Sequence, residues 1–117
     1  MLFRSGTGSL SITNGGVVSN AGSGVLGGST TGSGTVTVNG TGSSWTNSGD
    51  LTVGNNGTGS LTITSGGAVS NNNGAISYNS GGSGTATVNG AGSSWTNSGY
   101  LSVVTIIFLL PQTINRR

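Results

Sequence analysis

Apolar residues recur along the chain in short segments, each with a polar residue between two apolar ones. Four such segments read apolar, Ser or Thr, apolar, and they lie at residues 10–12, 36–38, 61–63 and 86–88. This alternation places two apolar side chains on one face of a β-strand and a hydroxyl on the other. The segments begin 26, 25 and 25 residues apart. They therefore predict four equivalent strands that stack on one another. One interior column of that stack is expected to contain Leu10, Val36, Leu61 and Ala86.

Two further apolar segments follow each of these strands. The second segment has one apolar residue, then Ser or Thr, then Asn, and its apolar residues are Val18, Trp45, Val69 and Trp95. The third is a short apolar cluster, found at residues 25–26, 51–53, 75–76 and 101–103. Gly, Asn and Ser separate the segments, which is typical of turns. Each unit of about 25 residues therefore predicts one coil of three strands.

The pattern also repeats over a longer distance. Residues 38–51 and 88–101 form the same 14-residue segment, begin 50 residues apart and differ at only two positions. One of these differences pairs Asp50 with Tyr100. We expect both to lie in an exposed turn and to be dispensable, because variable positions concentrate in surface loops.

Together these segments predict an all-β fold, a right-handed parallel β-helix of about four three-stranded coils. The 25 Gly residues argue against helices, because each costs about 0.5–1 kcal/mol relative to Ala there. A single coil cannot bury its apolar face, whereas stacked coils can. High Gly and Ser content also suits a disordered linker, but disorder does not require phased apolar columns. The repeats occupy residues 6–103, with 6–56 as the first and 57–103 as the second.

The two ends depart from the repeat. Residues 1–5 are interpreted as the truncated start of a preceding coil. After residue 103 the repeat predicts Gly-Asn-Asn, as at residues 54–56, but the chain continues Val104-Thr105-Ile106. A one-base shift of reading frame converts codons for the first tripeptide into codons for the second. Residues 104–117 are therefore interpreted as an aberrant apolar tail, produced by a frameshift or acting as a cap. Its apolar run is shorter than the roughly 20 residues that span a bilayer, so we expect no transmembrane segment.

Charge and composition exclude several classes of function. The net charge of +2 comes from three arginines at the ends of the chain, Arg4, Arg116 and Arg117, against Asp50 alone. No basic stripe exists, so we expect no nucleic-acid partner. The sequence has no His, Cys or Glu, so we expect no catalytic residues, no metal site and no cofactor, and hence not an enzyme. The lack of Cys is compatible with passage through an oxidising compartment.

The two tryptophans allow two interpretations. Trp45 and Trp95 could form a sugar-stacking platform, since an amphipathic ring packs on a pyranose face. Alternatively, each ring fills the same interior corner in alternate coils, with Val18 and Val69 in the coils between. The second interpretation is favoured, because Trp replaces an aliphatic residue at an equivalent position.

Two polar columns also follow from the alignment of the coils. Asparagines at equivalent positions are expected at coil corners, where Asn tolerates the left-handed conformation and stacked amides bond between coils. These are Asn20, Asn47, Asn71 and Asn97. Hydroxyl side chains are expected to form two outward rows on the first strand of each coil, a regular array that suits an ice-binding or glycan-binding face. The rows are Ser9, Thr35, Ser60 and Thr85, and Ser11, Thr37, Thr62 and Thr87. Ser and Thr are also simply soluble residues that fit exposed strands.

Several segments resemble a known family. They read GTGSLTI at residues 57–63, GSGTVTV at 32–38, GSSWTNSG at 42–49 and 92–99, and LTVGNNGTG at 51–59. They are similar to the type V secretion/PEP-CTERM-associated repeat of bacterial autotransporter passengers, over residues 6–103. The resemblance implies an adhesin-like β-helix on the bacterial surface or in the extracellular medium, with no catalytic residues. It implies neighbouring coils of the parent protein as partners, and host-surface or matrix glycans as candidate ligands.

The sequence thus favours a structural and adhesive module without catalytic activity. The alternative is a solenoid that binds glycan or ice through the outward Ser and Thr rows. Residues 1–4 lack the apolar region and cleavage site of a signal peptide. We therefore expect the chain to be a fragment of a larger protein that supplies the signal peptide, together with an outer-membrane barrel or a sorting tail.

Overall fold

The chain folds as a stack of short strands. The computed structural model describes residues 2–3, 6–79, 81–103 and 114–116. Strands joined by turns make up the described residues, which contain no helix. Two short strands lie at the ends of the stack, β1 (Leu2–Phe3) and β14 (Ile114–Arg116). Four coils of three strands each lie between them.

Coil 1 comprises β2 (Thr7–Thr13), β3 (Val17–Asn20) and β4 (Gly24–Leu26). Coil 2 comprises β5 (Ser33–Asn39), β6 (Ser44–Asn47) and β7 (Leu51–Val53). Coil 3 comprises β8 (Thr58–Thr64), β9 (Ala68–Asn71) and β10 (Gly74–Ile76). Coil 4 comprises β11 (Ser83–Asn89), β12 (Ser94–Asn97) and β13 (Leu101–Val103).

All pairing is parallel between equivalent strands of neighbouring coils and builds three sheets. The first sheet has the order β11-β8-β5-β2, the second β14-β12-β9-β6-β3 and the third β1-β4-β7-β10-β13. Each strand inside a sheet bonds to a strand on either side, and the strands at the ends of a sheet bond on one side. Extended segments that are too short to be stable alone are therefore held by the stack. The predicted parallel β-helix with about four three-stranded coils is confirmed.

The predicted register is confirmed residue by residue. Leu10 lies opposite Val36, Val36 opposite Leu61, and Leu61 opposite Ala86. The last three of these side chains are fully buried and Leu10 is half-buried. The one-residue difference in length between coils 1 and 3 falls in the turn between the second and third strands, where it leaves every column in register.

The core alternates between large and small side chains from coil to coil. In the second sheet Trp45 and Trp95 are in register with valines of the neighbouring coils. In the third sheet Leu51 lies opposite Gly24 and Gly74. Each coil with Trp and Leu therefore stacks on a coil with Val and Gly. A coil with the large Trp and Leu pair fits only beside a coil with the small Val and Gly pair. The packing unit is therefore two coils, which explains the 50-residue period.

The backbone of the end strands continues two of the sheets. Leu2–Phe3 pairs with β4 in the third sheet, and Ile114–Arg116 pairs with β12 in the second sheet. Residues 104–113 lie outside the described residues, as do residues 1, 4, 5, 80 and 117. The truncated coil and the frameshifted or capping tail therefore stay predictions. No helix in the described part of the chain is long and apolar enough to cross a membrane.

Candidate functional site

The tryptophans belong to the core. Trp45 and Trp95 are both 0% exposed, so neither ring can stack on a sugar at the surface. Trp95 Nε1 donates a hydrogen bond to Asn71 Oδ1 at 2.7 Å, which satisfies the indole in the interior. The predicted interior corner is confirmed for both residues, and the alternative of a tryptophan sugar platform is wrong.

The asparagine column is also internal and joins the coils in pairs. Asn20 Nδ2 donates to Asn47 Oδ1 at 2.9 Å, and Asn71 Nδ2 donates to Asn97 Oδ1 at 2.7 Å. Between the pairs, Asn47 Nδ2 and Trp45 Nε1 have no hydrogen-bond partner among the described residues. The predicted amide bonds between coils are therefore confirmed within each pair of coils.

The expected left-handed backbone at these asparagines is wrong. Each of the four ends a strand of the second sheet, and none is among the residues with positive φ. The positive φ angles of residues other than Gly occur in the turns, at Asn14, Ser65 and Ser77. The corner is made by these turns, so the amides are free to bond along the stack.

The most specific motif, GSSWTNSG, has a structural explanation. Its first serine, Ser43, is buried, donates to Asn39 O at 2.8 Å and accepts from Gly15 N of the preceding coil at 3.0 Å. Ser93 makes the equivalent bonds in coil 4. Trp and Asn of the motif occupy the core, as described above. The motif therefore stabilises contacts between coils.

The first sheet presents a regular outer surface, here called the hydroxyl face. Its two central rows are in register across all four coils, as predicted, and their side chains are exposed or half-buried. The rows are Ser9, Thr35, Ser60 and Thr85, and Ser11, Thr37, Thr62 and Thr87. Two outer rows flank them, Thr7, Ser33, Thr58 and Ser83, and Thr13, Asn39, Thr64 and Asn89. The face is thus a grid of small, uncharged polar groups.

The third sheet carries a cavity of about 290 Å³ on its outer side, here called the tyrosine cleft. Its floor includes Val25 of β4, Thr52 of β7 and Ala75 of β10, which are in register as one outward row. Side chains from the adjoining turns also line it, namely Asp50, Asn73, Tyr78 and Tyr100. Tyr78 is 65% exposed and Tyr100 is 59% exposed.

Sequence reasoning missed this cleft, although a signal was present. Both tyrosines interrupt the internal repeat, since Tyr100 stands where the first repeat has Asp50. Tyr78 N donates to Gly54 O as Asn55 N donates to Gly27 O one coil earlier, so Tyr78 stands where coil 2 has Asn55. Two exposed aromatic residues at positions that the repeat fills with small polar residues could have identified the site.

A ladder of hydrogen bonds between coils orders one edge of the cleft. Asp50 N donates to Ser23 Oγ at 3.1 Å, and Asn73 N donates to Asp50 Oδ1 at 3.0 Å. Tyr100 N donates to Asn73 Oδ1 at 3.0 Å. The expected exposed turn at Asp50 and Tyr100 is confirmed, but Asp50 also holds the next coil. We expect substitution of Asp50 to leave stability unchanged only if the new side chain accepts the hydrogen bond from Asn73 N.

The electrostatics of the cleft are simple. Asp50 is the one charged side chain between residues 6 and 103, so its carboxylate gives the cleft a negative potential that no neighbouring cation offsets within that range.

No protein-family model matches the chain, and no curated protein or solved structure matches it either.

Proposed function

We propose that the chain is a non-catalytic structural and adhesive β-helix module of a secreted or surface-displayed autotransporter-type passenger. The observation that carries the proposal is the two-coil repeat whose characteristic side chains all serve coil stacking. The buried Trp and Asn residues and the Ser43 and Ser93 bonds between coils belong to this repeat. Such a unit can be multiplied into a long rigid stalk, because each coil contacts mainly its neighbours.

The outer surface suits this function. Uncharged hydroxyl and amide groups cover the outer side of the first sheet, and each coil adds about 4.8 Å of height to such a surface. The neighbouring coils of a larger protein are the natural partners of the end strands. The sequence offers one carboxylate and neither His, Cys nor Glu, which supports a role in binding instead of catalysis.

Surface display can be tested by grafting. Residues 6–103 would be inserted in register between coils of an autotransporter passenger that keeps its own signal peptide and barrel. We expect the graft to reach the cell surface, to resist limited proteolysis of intact cells and to increase attachment to a glycan-rich matrix. A scrambled insert of the same composition is the control, because it keeps Gly and Ser content but removes the columns. Equal display and attachment by both inserts would contradict the proposal.

A second candidate function is recognition of ice or glycan by the hydroxyl face. The in-register rows of hydroxyls favour it, because a parallel sheet spaces them by about 4.8 Å between coils and about 6.6 Å along each strand. Inhibition of ice recrystallisation by the chain, lost on Thr62→Lys at the centre of the face, would support it. Activity that survives this substitution would exclude the face as the ice-binding surface.

A further inference from the structure

We propose that the tyrosine cleft binds a neutral saccharide. This inference names the ligand class of the adhesive function and in that sense rests on it. It places recognition on the third sheet, at Tyr78, Tyr100, Asp50 and Asn73, and leaves the hydroxyl face outside the binding site.

The floor of the cleft is partly apolar, with Val25 and Ala75 on either side of Thr52. Ala75 faces outward, because its neighbours Gly74 and Ile76 face the core, and yet it is only 8% exposed. The residues in the same row, Val25 and Thr52, are half-buried. A volume of about 290 Å³ lies just below the usual range for ligand pockets, about 300–1,000 Å³. The size suits a ligand of one or two sugar rings.

Two aromatic rings flank this floor. Both tyrosines are more than half exposed, and the fold does not require them, because the chain places Asn55 and Asp50 at the equivalent positions of coil 2. A phenol ring packs its apolar face against the C–H groups of a pyranose and offers its hydroxyl at the edge. Each therefore suits contact with a ligand that is apolar on one side and polar at its rim.

The polar groups of the cleft are held in fixed orientations. The bond from Asn73 N occupies Asp50 Oδ1 and leaves Oδ2 without a partner among the described residues. Tyr100 N donates to Asn73 Oδ1, and because only an oxygen can accept this bond, the orientation of the Asn73 side-chain amide is defined. Asn73 Nδ2 has no partner in the described part of the chain. The cleft thus presents a charged acceptor and an amide donor on neighbouring coils. Sugar hydroxyls both donate and accept, so adjacent hydroxyls can use both groups.

Other ligand classes fit less well. An anionic ligand would meet the Asp50 carboxylate without a compensating cation between residues 6 and 103. An organic cation would interact with the carboxylate and the rings, but it would leave the Asn73 amide donor unused. A neutral polyol uses the rings, the acceptor and the donor together.

The test uses the full 117-residue chain and three substitutions that copy residues from other coils of the same chain. Tyr78→Asn copies Asn55, Tyr100→Asp copies Asp50, and Asp50→Asn copies Asn73, so each should fold, as circular dichroism would verify. Thr35→Ala, on the hydroxyl face, is the control. The probes are an array of neutral saccharides, followed by titration calorimetry and saturation-transfer NMR with methyl glycosides.

We expect the unaltered chain and Thr35→Ala to bind the same neutral saccharide equally. Tyr78→Asn and Tyr100→Asp should each weaken binding by about tenfold, the factor expected when a stacking contact of 1–1.5 kcal/mol is lost. Asp50→Asn should weaken binding while leaving stability unchanged. Choline should not bind. Saturation transfer should reach the C–H protons of the sugar from the tyrosine rings.

The proposal is overturned if the folded chain binds no neutral saccharide, if the tyrosine variants bind as well as the unaltered chain, or if choline binds and Asp50→Asn abolishes that binding. These outcomes are separable from failure of the proposed function. A graft that is displayed and still increases attachment when it carries Tyr78→Asn and Tyr100→Asp overturns the cleft alone. Saccharide binding by a chain that cannot be displayed overturns the passenger function alone.

Discussion

At Gly74 the backbone of coil 3 lies so close to coil 4 that a methyl group has no room. A Cβ there would contact Asn97 Oδ1 and lie 2.9 Å from Leu101 Cδ1. At the equivalent Gly24, a Cβ would lie 3.0 Å from Trp45 Cζ2. Both glycines are therefore required by the large side chains of the following coil. Their role is steric, since both lie in regular strands.

Gly74→Ala should destabilise the fold by about 1–3 kcal/mol, the usual cost of overpacking a core. Gly24→Ala should cost less, because its contacts are longer. Gly22→Ala is the matched control, since a Cβ there meets nothing within 4 Å. It should be neutral or stabilise by about 0.4–1 kcal/mol through the unfolded state. Urea denaturation gives the three free energies of unfolding, and an equal cost at all three positions would contradict the steric explanation.

At the scale of one element, the second sheet is held together by buried amides as well as by its strands. Asn71 bonds to two buried side chains of coil 4, because its Oδ1 accepts from Trp95 Nε1 and its Nδ2 donates to Asn97 Oδ1. Asn20 bonds to one buried side chain of coil 2, since it donates to Asn47 Oδ1 while Trp45 Nε1 lacks a partner among the described residues. The second pair of coils is thus more completely bonded than the first.

Asn71→Ala should therefore cost more stability than Asn20→Ala. It removes the acceptor of the buried Trp95 indole and the donor to Asn97 Oδ1 and Asn73 O, and a buried group that loses its partner costs about 1–3 kcal/mol. Asn20→Ala removes the donor to Asn47 Oδ1 and Ser23 O, but it takes no acceptor from a tryptophan indole. Chemical denaturation followed by tryptophan fluorescence measures both losses. If the two variants lose the same stability, the Trp95 hydrogen bond contributes nothing measurable.

At the scale of the whole molecule, alternation of large and small pairs determines which coils can be neighbours. The large pair of coil 2, Trp45 and Leu51, lies between two small pairs. These are Val18 and Gly24 in coil 1, and Val69 and Gly74 in coil 3. The order of coils is therefore fixed by packing volume as well as by strand pairing, and the solenoid can grow only in steps of two coils.

Insertion of extra coils tests this rule. A second copy of residues 51–100 placed after Tyr100 adds two coils and keeps the alternation, so the melting temperature should not fall and the unfolding transition should sharpen. A second copy of residues 27–53 placed after Val53 adds one coil and stacks Trp on Trp and Leu on Leu. It should be destabilised by at least about 1–3 kcal/mol through overpacking. A single-coil insertion as stable as the two-coil insertion would show that the alternation is irrelevant.

The sequence by itself determined the strands, the coil and the register. Leu10, Val36, Leu61 and Ala86 could be placed in one column because side chains alternate with a period of two, and because a slip within a strand would reverse its faces. Each of the four coils shows the same spacing, so four segments indicate the same register. It also located the asparagine column and the hydroxyl rows, which follow from the same alignment.

Only the tertiary structure decided which departures from the repeat make a site. Asp50 and Tyr78 are far apart in sequence and line one cleft because coils 2 and 3 stack. The orientation of the Asn73 amide depends on Tyr100 N of the next coil, and the left-handed residues at Asn14, Ser65 and Ser77 depend on turn closure. The physical reason is that a repeat specifies what equivalent residues share, whereas a site depends on contacts between residues that are not equivalent.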